Sequence, residues 1–154
     1  MESSDDALRS WERFRGAASL LYQKIDTALT TKHHLTVPDL RILHRLHTDP
    51  HGCVRMGALA ETLLLAPSRA TWQVRRLEER GLVQRGRRRE DKRIVIVALT
   101  PKGQELLQPA LRTYSALVRR YYLDPLTREQ MIALGDSTRR VSEALKLREM
   151  LPRS

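Results

Sequence analysis

Basic residues crowd one stretch of this chain. Between Pro67 and Arg93, ten arginine and lysine side chains (Arg69, Arg75, Arg76, Arg80, Arg85, Arg87, Arg88, Arg89, Lys92 and Arg93) stand against four acidic ones (Glu78, Glu79, Glu90 and Asp91). The chemistry of such a cluster is neutralisation of a polyanion, because guanidinium forks match phosphate oxygens and displace condensed counterions. A run of charge usually ends up as a solvated face. Here, however, six of the bases, from Arg85 to Arg93, fall around one expected turn, where mutual repulsion calls for a polyanion to offset it. The whole chain carries the same bias, with 28 Lys and Arg against 18 Asp and Glu and a net charge of +10 over 154 residues.

Other chemistries find less support. His44 and His47 lie three apart, with His51 and Cys53 close behind, a grouping that raises metal binding or redox sensing. No C-x-x-C or H-E-x-x-H spacing accompanies it, so these are read as surface or satisfied side chains. Cys53 is the single cysteine and cannot form an internal disulfide. Nucleophile elbow, phosphate loop and paired catalytic carboxylates are all missing from the sequence, so no catalytic residue, cofactor or metal is expected. The longest apolar run, Ile94 to Leu99, has six residues, far short of the roughly 20 that cross a bilayer. The acidic start Met1-Glu2-Ser3-Ser4-Asp5-Asp6 is unlike a secretory signal, which makes the cytoplasm the expected compartment.

The elements that must position the basic cluster can be read from periodicity and punctuation. Leu8, Trp11, Ala18, Leu21, Tyr22, Ile25, Ala28 and Leu29 recur at helical spacing, predicting a long first helix with Ser4, Asp5 and Asp6 at its positive end. Thr36-Val37-Pro38-Asp39 caps a second helix that runs to about His47, and Asp49-Pro50-His51-Gly52 breaks it. A short third helix spans about Met56 to Leu63. Pro67 opens a fourth of about 14 residues, closed by a left-handed Gly81. The period then changes to β-branched Ile94-Val95-Ile96-Val97, predicting a two-stranded hairpin with a charged tip. Thr100-Pro101 restarts a helix that continues to about residue 123, bent at Pro109, and Thr127-Arg128-Glu129-Gln130 forms a capping box for the last helix. Helix, helix, short helix, helix and hairpin is the layout of a winged helix-turn-helix, whose second paired helix enters the major groove.

These residues resemble the MarR family of bacterial transcriptional regulators. Leu59-Ala60-Glu61, Arg69-Ala70-Thr71 and the stretch from Val74 to Val83 are similar to its helix-turn-helix, and Asp91-Lys92-Arg93 with Leu99-Thr100-Pro101-Lys102-Gly103 to its wing. The resemblance is specific over residues 35–107. It implies a mainly α fold with a β-hairpin wing, in which residues 35–103 form the DNA-binding head and residues 1–34 and 104–154 a helical dimerisation arm. It also implies a homodimeric, ligand-responsive repressor on a palindromic operator in double-stranded DNA, with a small-molecule effector between arm and head. The alternative is a non-specific architectural nucleic-acid binder without an effector.

Under that resemblance, Ser68, Arg69, Thr71 and Trp72 on the first turns of the reading helix are expected to contact bases. Arg75, Arg76, Arg87, Arg88 and Arg89 suit phosphates, and Arg93 is similar to a wing arginine that enters the minor groove, with Asp91 shaping its loop. Four positions depart from the family pattern. Ala66 stands at the helix cap, Leu64 where a turn glycine is common, and Trp72 with Gln73 where arginine and an apolar residue are common. Trp72 therefore has two readings, a core residue on a slightly rotated helix or an exposed contact to sugar or a thymine methyl. Some relatives sense zinc or oxidants through groups such as His44, His47, His51 and Cys53, although the oxidant sensors carry their cysteine in the first helix.

Overall fold

The computed structural model describes the backbone of residues 2–150 and the side chains of residues 5–146. Two compact units divide after Ser115. The first holds α1 (Glu2–His33), α2 (Val37–His47), β1 (Cys53–Arg55), α3 (Met56–Leu63), α4 (Pro67–Glu79), β2 (Val83–Arg87), β3 (Val95–Leu99) and most of α5 (Pro101–Val118).

Local chemistry sets most boundaries. The Thr36 hydroxyl accepts from the Asp39 amide at 3.3 Å while the Asp39 carboxylate accepts from the Thr36 amide at 2.8 Å, a reciprocal cap that opens α2. Asp26 of α1 accepts from the next amide, Val37, at 2.8 Å and so ties the two helices at that point. Gly81 follows α4 with φ +72°, the left-handed conformation that glycine adopts without strain. At the other end of the chain α1 begins at Glu2, earlier than the Ser4-Asp5-Asp6 cap implied. Asp5 and Asp6 lie inside its first turns and pair with Arg9, and the side chain of Ser4 is outside the described set.

The sheet corrects one expectation. It has three antiparallel strands in the order β1-β3-β2, where the sequence suggested a two-stranded hairpin. Val54 pairs with Val97 on one side of β3, and Arg85 pairs with Val97 on the other. The continuous apolar run that becomes β3 is thus explained by its central place, hydrogen-bonded along both edges. Below and around it, Leu29, Leu35, Ile42, Leu43, Leu59, Leu77 and Leu107 are fully buried and join α1 to α5 in one core. Only the C-terminal half of α1 takes part, because Leu8, Trp11, Phe14 and Leu20 are exposed.

The turn between α3 and α4 holds a strained residue. Leu64 adopts φ 55° and ψ 41° and is 78% exposed, while its amide and that of Leu65 satisfy the last carbonyls of α3. A left-handed conformation costs a residue bearing Cβ roughly 1–2 kcal/mol, and glycine would remove it at a smaller loss of chain entropy. Leu64→Gly is expected to raise the thermal midpoint by about 2–4 °C. A fall in the midpoint would mean that the Leu64 side chain contributes more by contact than its backbone loses by strain.

The second unit is helical. The α-helical pattern holds Pro109 within it, stops at Val118 and widens into a π turn over Arg119–Leu123, short of the helix expected to about residue 123. Asp124, the last amide before Pro125, closes this turn by donating to the Arg119 carbonyl at 2.8 Å. Thr127 and Gln130 then make the expected capping box, at 2.9 and 3.2 Å, for α6 (Arg128–Met150). Ile132, Val141 and Leu145 on α6 are exposed.

Candidate nucleic-acid interface

The reading helix α4 turns Ala70, Gln73, Val74 and Leu77 into the core. The spacing leaves Ser68, Arg69, Trp72 and Arg75 exposed along its outer side, with Thr71 and Arg76 part-exposed. Trp72 is 55% exposed, which removes the core-packed reading of that residue. Its neighbour Gln73 occupies the core slot instead, only 3% exposed, and its side-chain amide donates to Asp39 at 2.6 Å and to the Thr36 hydroxyl at 3.3 Å. A buried amide is tolerated there because the α2 cap supplies both acceptors. The sequence marked Gln73 as unusual but held no sign that Asp39, 34 residues earlier, would receive it.

No side chain caps α4 at Ala66, and the Thr71 hydroxyl donates back to the Pro67 carbonyl at 2.9 Å. At the far end Glu78 accepts from both the amide and the guanidinium of Arg85, at 2.9 and 2.6 Å. The hydrogen bond from the Arg85 amide, with that from its guanidinium, outweighs the opposing effect of burial and holds the Glu78 carboxyl below its usual range. Arg85 is therefore not one of the bases at the hairpin tip. It fastens β2 to α4 and fixes the angle between wing and reading helix. Lys102 and Thr100 add two more ties, donating to the Arg80 and Gly81 carbonyls at 2.9 and 2.6 Å.

At the tip, the Asp91 carboxylate accepts from the Arg93 amide at 3.0 Å and from its guanidinium at 3.1 and 3.3 Å. Those bonds hold the Asp91 carboxyl below the usual carboxylate range and shape the loop. The Arg93 side chain remains 92% exposed. Arg87 donates to the Lys92 carbonyl at 2.8 Å, which leaves its charge uncompensated, and Arg88 pairs with Glu90 at 3.2 Å. Among the described residues no carboxylate lies within ion-pair distance of Arg69, Arg75 or Arg89.

The histidines do not converge. His47 bonds to Gln104 at 2.9 Å, His44 and His51 are exposed, and among the described residues no three His, Cys, Asp or Glu side chains gather as a metal-holding group. A cavity of about 400 Å³ lies where α1, α2 and the α3–α4 turn meet, lined by Tyr22, Pro38, Arg41, Arg69 and residues 63–66. Among the described residues no helix is long and apolar enough to cross a membrane.

A recognition helix and a basic wing locked to each other on a three-helix platform define a winged helix-turn-helix transcriptional regulator. The MarR family model matches residues 35–95. A Streptomyces coelicolor MarR family transcriptional regulator solved in complex with DNA is 32% identical, with a TM-score of 0.89 over 94% of both chains. AbsC, a MarR family regulator of the same organism, is 28% identical with a TM-score of 0.87, over 92% of this chain and 95% of that one. The Bacillus subtilis transcriptional repressor MdtR is 29% identical across 84% of this chain and 83% of its own. The chain belongs to the MarR family.

Proposed function

We propose that this protein is a homodimeric, ligand-responsive repressor that binds a palindromic operator in double-stranded DNA. The observation that carries the reading is the pairing, on one unit, of an outward-facing α4, whose Arg69 and Arg75 have no carboxylate partner among the described residues, with a wing whose Arg93 is held by Asp91 yet almost fully exposed. In this reading Ser68, Arg69, Thr71 and Trp72 meet base edges, while Arg75, Arg87, Arg88 and Arg89 meet phosphates and Arg93 enters the minor groove. The MarR family regulator solved with DNA supports it, as does the repressor MdtR.

Residues 35–103 serve as the head, and residues 1–34 and 104–154 as the arm. Exposed Leu8, Trp11 and Phe14 on α1, and Ile132, Val141 and Leu145 on α6, are the apolar faces that a second copy covers. The cavity at Tyr22, Arg41 and Arg69 is the candidate effector site, and its two guanidiniums suit an anionic ligand. Because Arg69 also belongs to the reading helix, occupancy there draws on a side chain that the operator needs.

The test is paired titration on operator and scrambled duplex over a salt series. Arg69→Ala is expected to weaken operator binding about 5- to 150-fold, the worth of one bidentate base contact, with far less effect on scrambled DNA. Arg88→Ala combined with Arg89→Ala is expected to weaken both duplexes alike and to reduce the salt slope by about one unit per lost phosphate. Equal affinity of the unaltered protein for both duplexes would favour the architectural binder instead.

A further inference from the structure

The sequence reading gave Arg76 to the DNA backbone, but its surroundings point elsewhere. The Arg76 guanidinium carbon lies 4.8 Å from the centre of the Trp72 ring, one helical turn away on α4. Three wing arginines are held by carboxylates, Arg85 by Glu78, Arg88 by Glu90 and Arg93 by Asp91. Arg76 is held by an aromatic face. A carboxylate takes up the N–H donors of a guanidinium, whereas a cation–π contact satisfies its charge without an acceptor and leaves N–H groups available to one. Trp72 itself is kept outside, since Gln73 is fastened into the core by Asp39 and the remaining inward positions belong to Ala70, Val74 and Leu77. A large apolar ring and a pre-oriented planar cation are thereby displayed side by side on the reading helix.

In the major groove, adjacent features that match such a pair are the C5-methyl of thymine and the O6 and N7 acceptors of guanine. We propose that Trp72 and Arg76 read one thymine–guanine step in each half-site as a unit, the indole packing on the thymine methyl and the guanidinium held beside the indole donating to guanine. The proposal rests on the DNA-reading function above, and it makes Arg76 a base-reading residue whose placement depends on Trp72.

The experiment uses the full chain and an operator selected from random duplexes. Each half-site thymine is replaced in turn by uracil, which deletes only the methyl, and each guanine by 7-deazaguanine, which deletes only N7. The unaltered protein is compared with Trp72→Ala, Trp72→Phe, Arg76→Ala and the Trp72→Ala, Arg76→Ala double variant. A uracil-sensitive thymine next to a deazaguanine-sensitive guanine is expected, each probe weakening the unaltered protein several-fold. Both sensitivities should vanish together in Trp72→Ala and be partly retained in Trp72→Phe, while the double variant binds no more weakly than the worse single one. Affinity for scrambled duplex should stay within about twofold throughout, which separates a reading defect from a folding defect. Full deazaguanine sensitivity in Trp72→Ala, additive single effects, or sensitive bases that are not neighbours would overturn the proposal. If the unaltered protein selects no sequence at all, the operator-binding reading falls with it.

Discussion

Raising the salt from 50 to 200 mM is expected to lower operator affinity by roughly 10³- to 10⁵-fold, the signature of about 6–10 phosphate contacts. The source is the part of each head whose charge is least compensated. Arg75 and Arg89 have no ion-pair partner among the described residues, and Arg87 donates only to a neutral carbonyl. Arg88 contributes less, because its 3.2 Å pair with Glu90 already neutralises part of its charge before DNA arrives. In the proposed homodimer, two heads with three or four such contacts each give a number within that range. Arg85 and Arg45 add nothing to the slope, as Glu78 and Asp49 hold them at 2.6 and 2.9 Å in the folded chain. The measurement is equilibrium binding across the salt range at fixed pH. A nearly flat dependence would remove the wing and α4 from the interface, whatever the affinity at one salt concentration.

Gly103→Ala is expected to destabilise the head by about 3 kcal/mol or more, the upper end of what overpacking costs. Gly103 sits in the first turn of α5, where an added Cβ would overlap the Leu82 carbonyl oxygen and fall 2.8 Å from Leu99 Cδ1. Neither neighbour can easily retreat. The Leu82 carbonyl accepts from the Thr100 amide at 3.1 Å, and the Thr100 hydroxyl accepts from the Gly103 amide at 3.0 Å while donating to Gly81 at 2.6 Å. Moving Leu82 would therefore loosen the same junction that ties the end of α4 to the wing. A thermal midpoint lower by roughly 6–12 °C is the expected result. Gly57→Ala is the control, since a Cβ there meets nothing within 4 Å, and its midpoint should be unchanged or slightly higher. Equal midpoints for both variants would show that the α5 junction yields more readily than its hydrogen bonds imply.

Much of the architecture is written in short stretches of chain. Thr36 with Asp39, Thr127 with Gln130, Pro67 and Gly81 each act within four residues of a helix end, so the sequence alone placed α2, α3, α4 and α6 and the order that defines a winged helix-turn-helix. Asp91 and Arg93, two residues apart, are equally local, and the loop they were expected to shape is the one observed. Strand β1 was not legible. Three residues carry no period, and Cys53–Arg55 is extended because β3, some 40 residues later, offers a free edge to pair with.

Side-chain destinations divide along the same line. The helical spacing of α4 leaves Trp72 and Gln73 competing for one inward place, and hydrophobicity favours the tryptophan. The outcome went to Gln73 because the buried Asp39 carboxylate, itself 1% exposed, needed a donor that only a distant helix could bring. Arg85 reads as one more tip base until Glu78 on α4 is seen to accept its amide and guanidinium together. Composition and spacing determined which helices form and that the chain's charge suits a polyanion, since capping, φ restriction and summed charge act over a few residues or over the whole chain. Which basic side chains remain free to meet that partner was decided only by the tertiary structure, because each is neutralised or displayed by a group that the fold brings to it from elsewhere in the sequence.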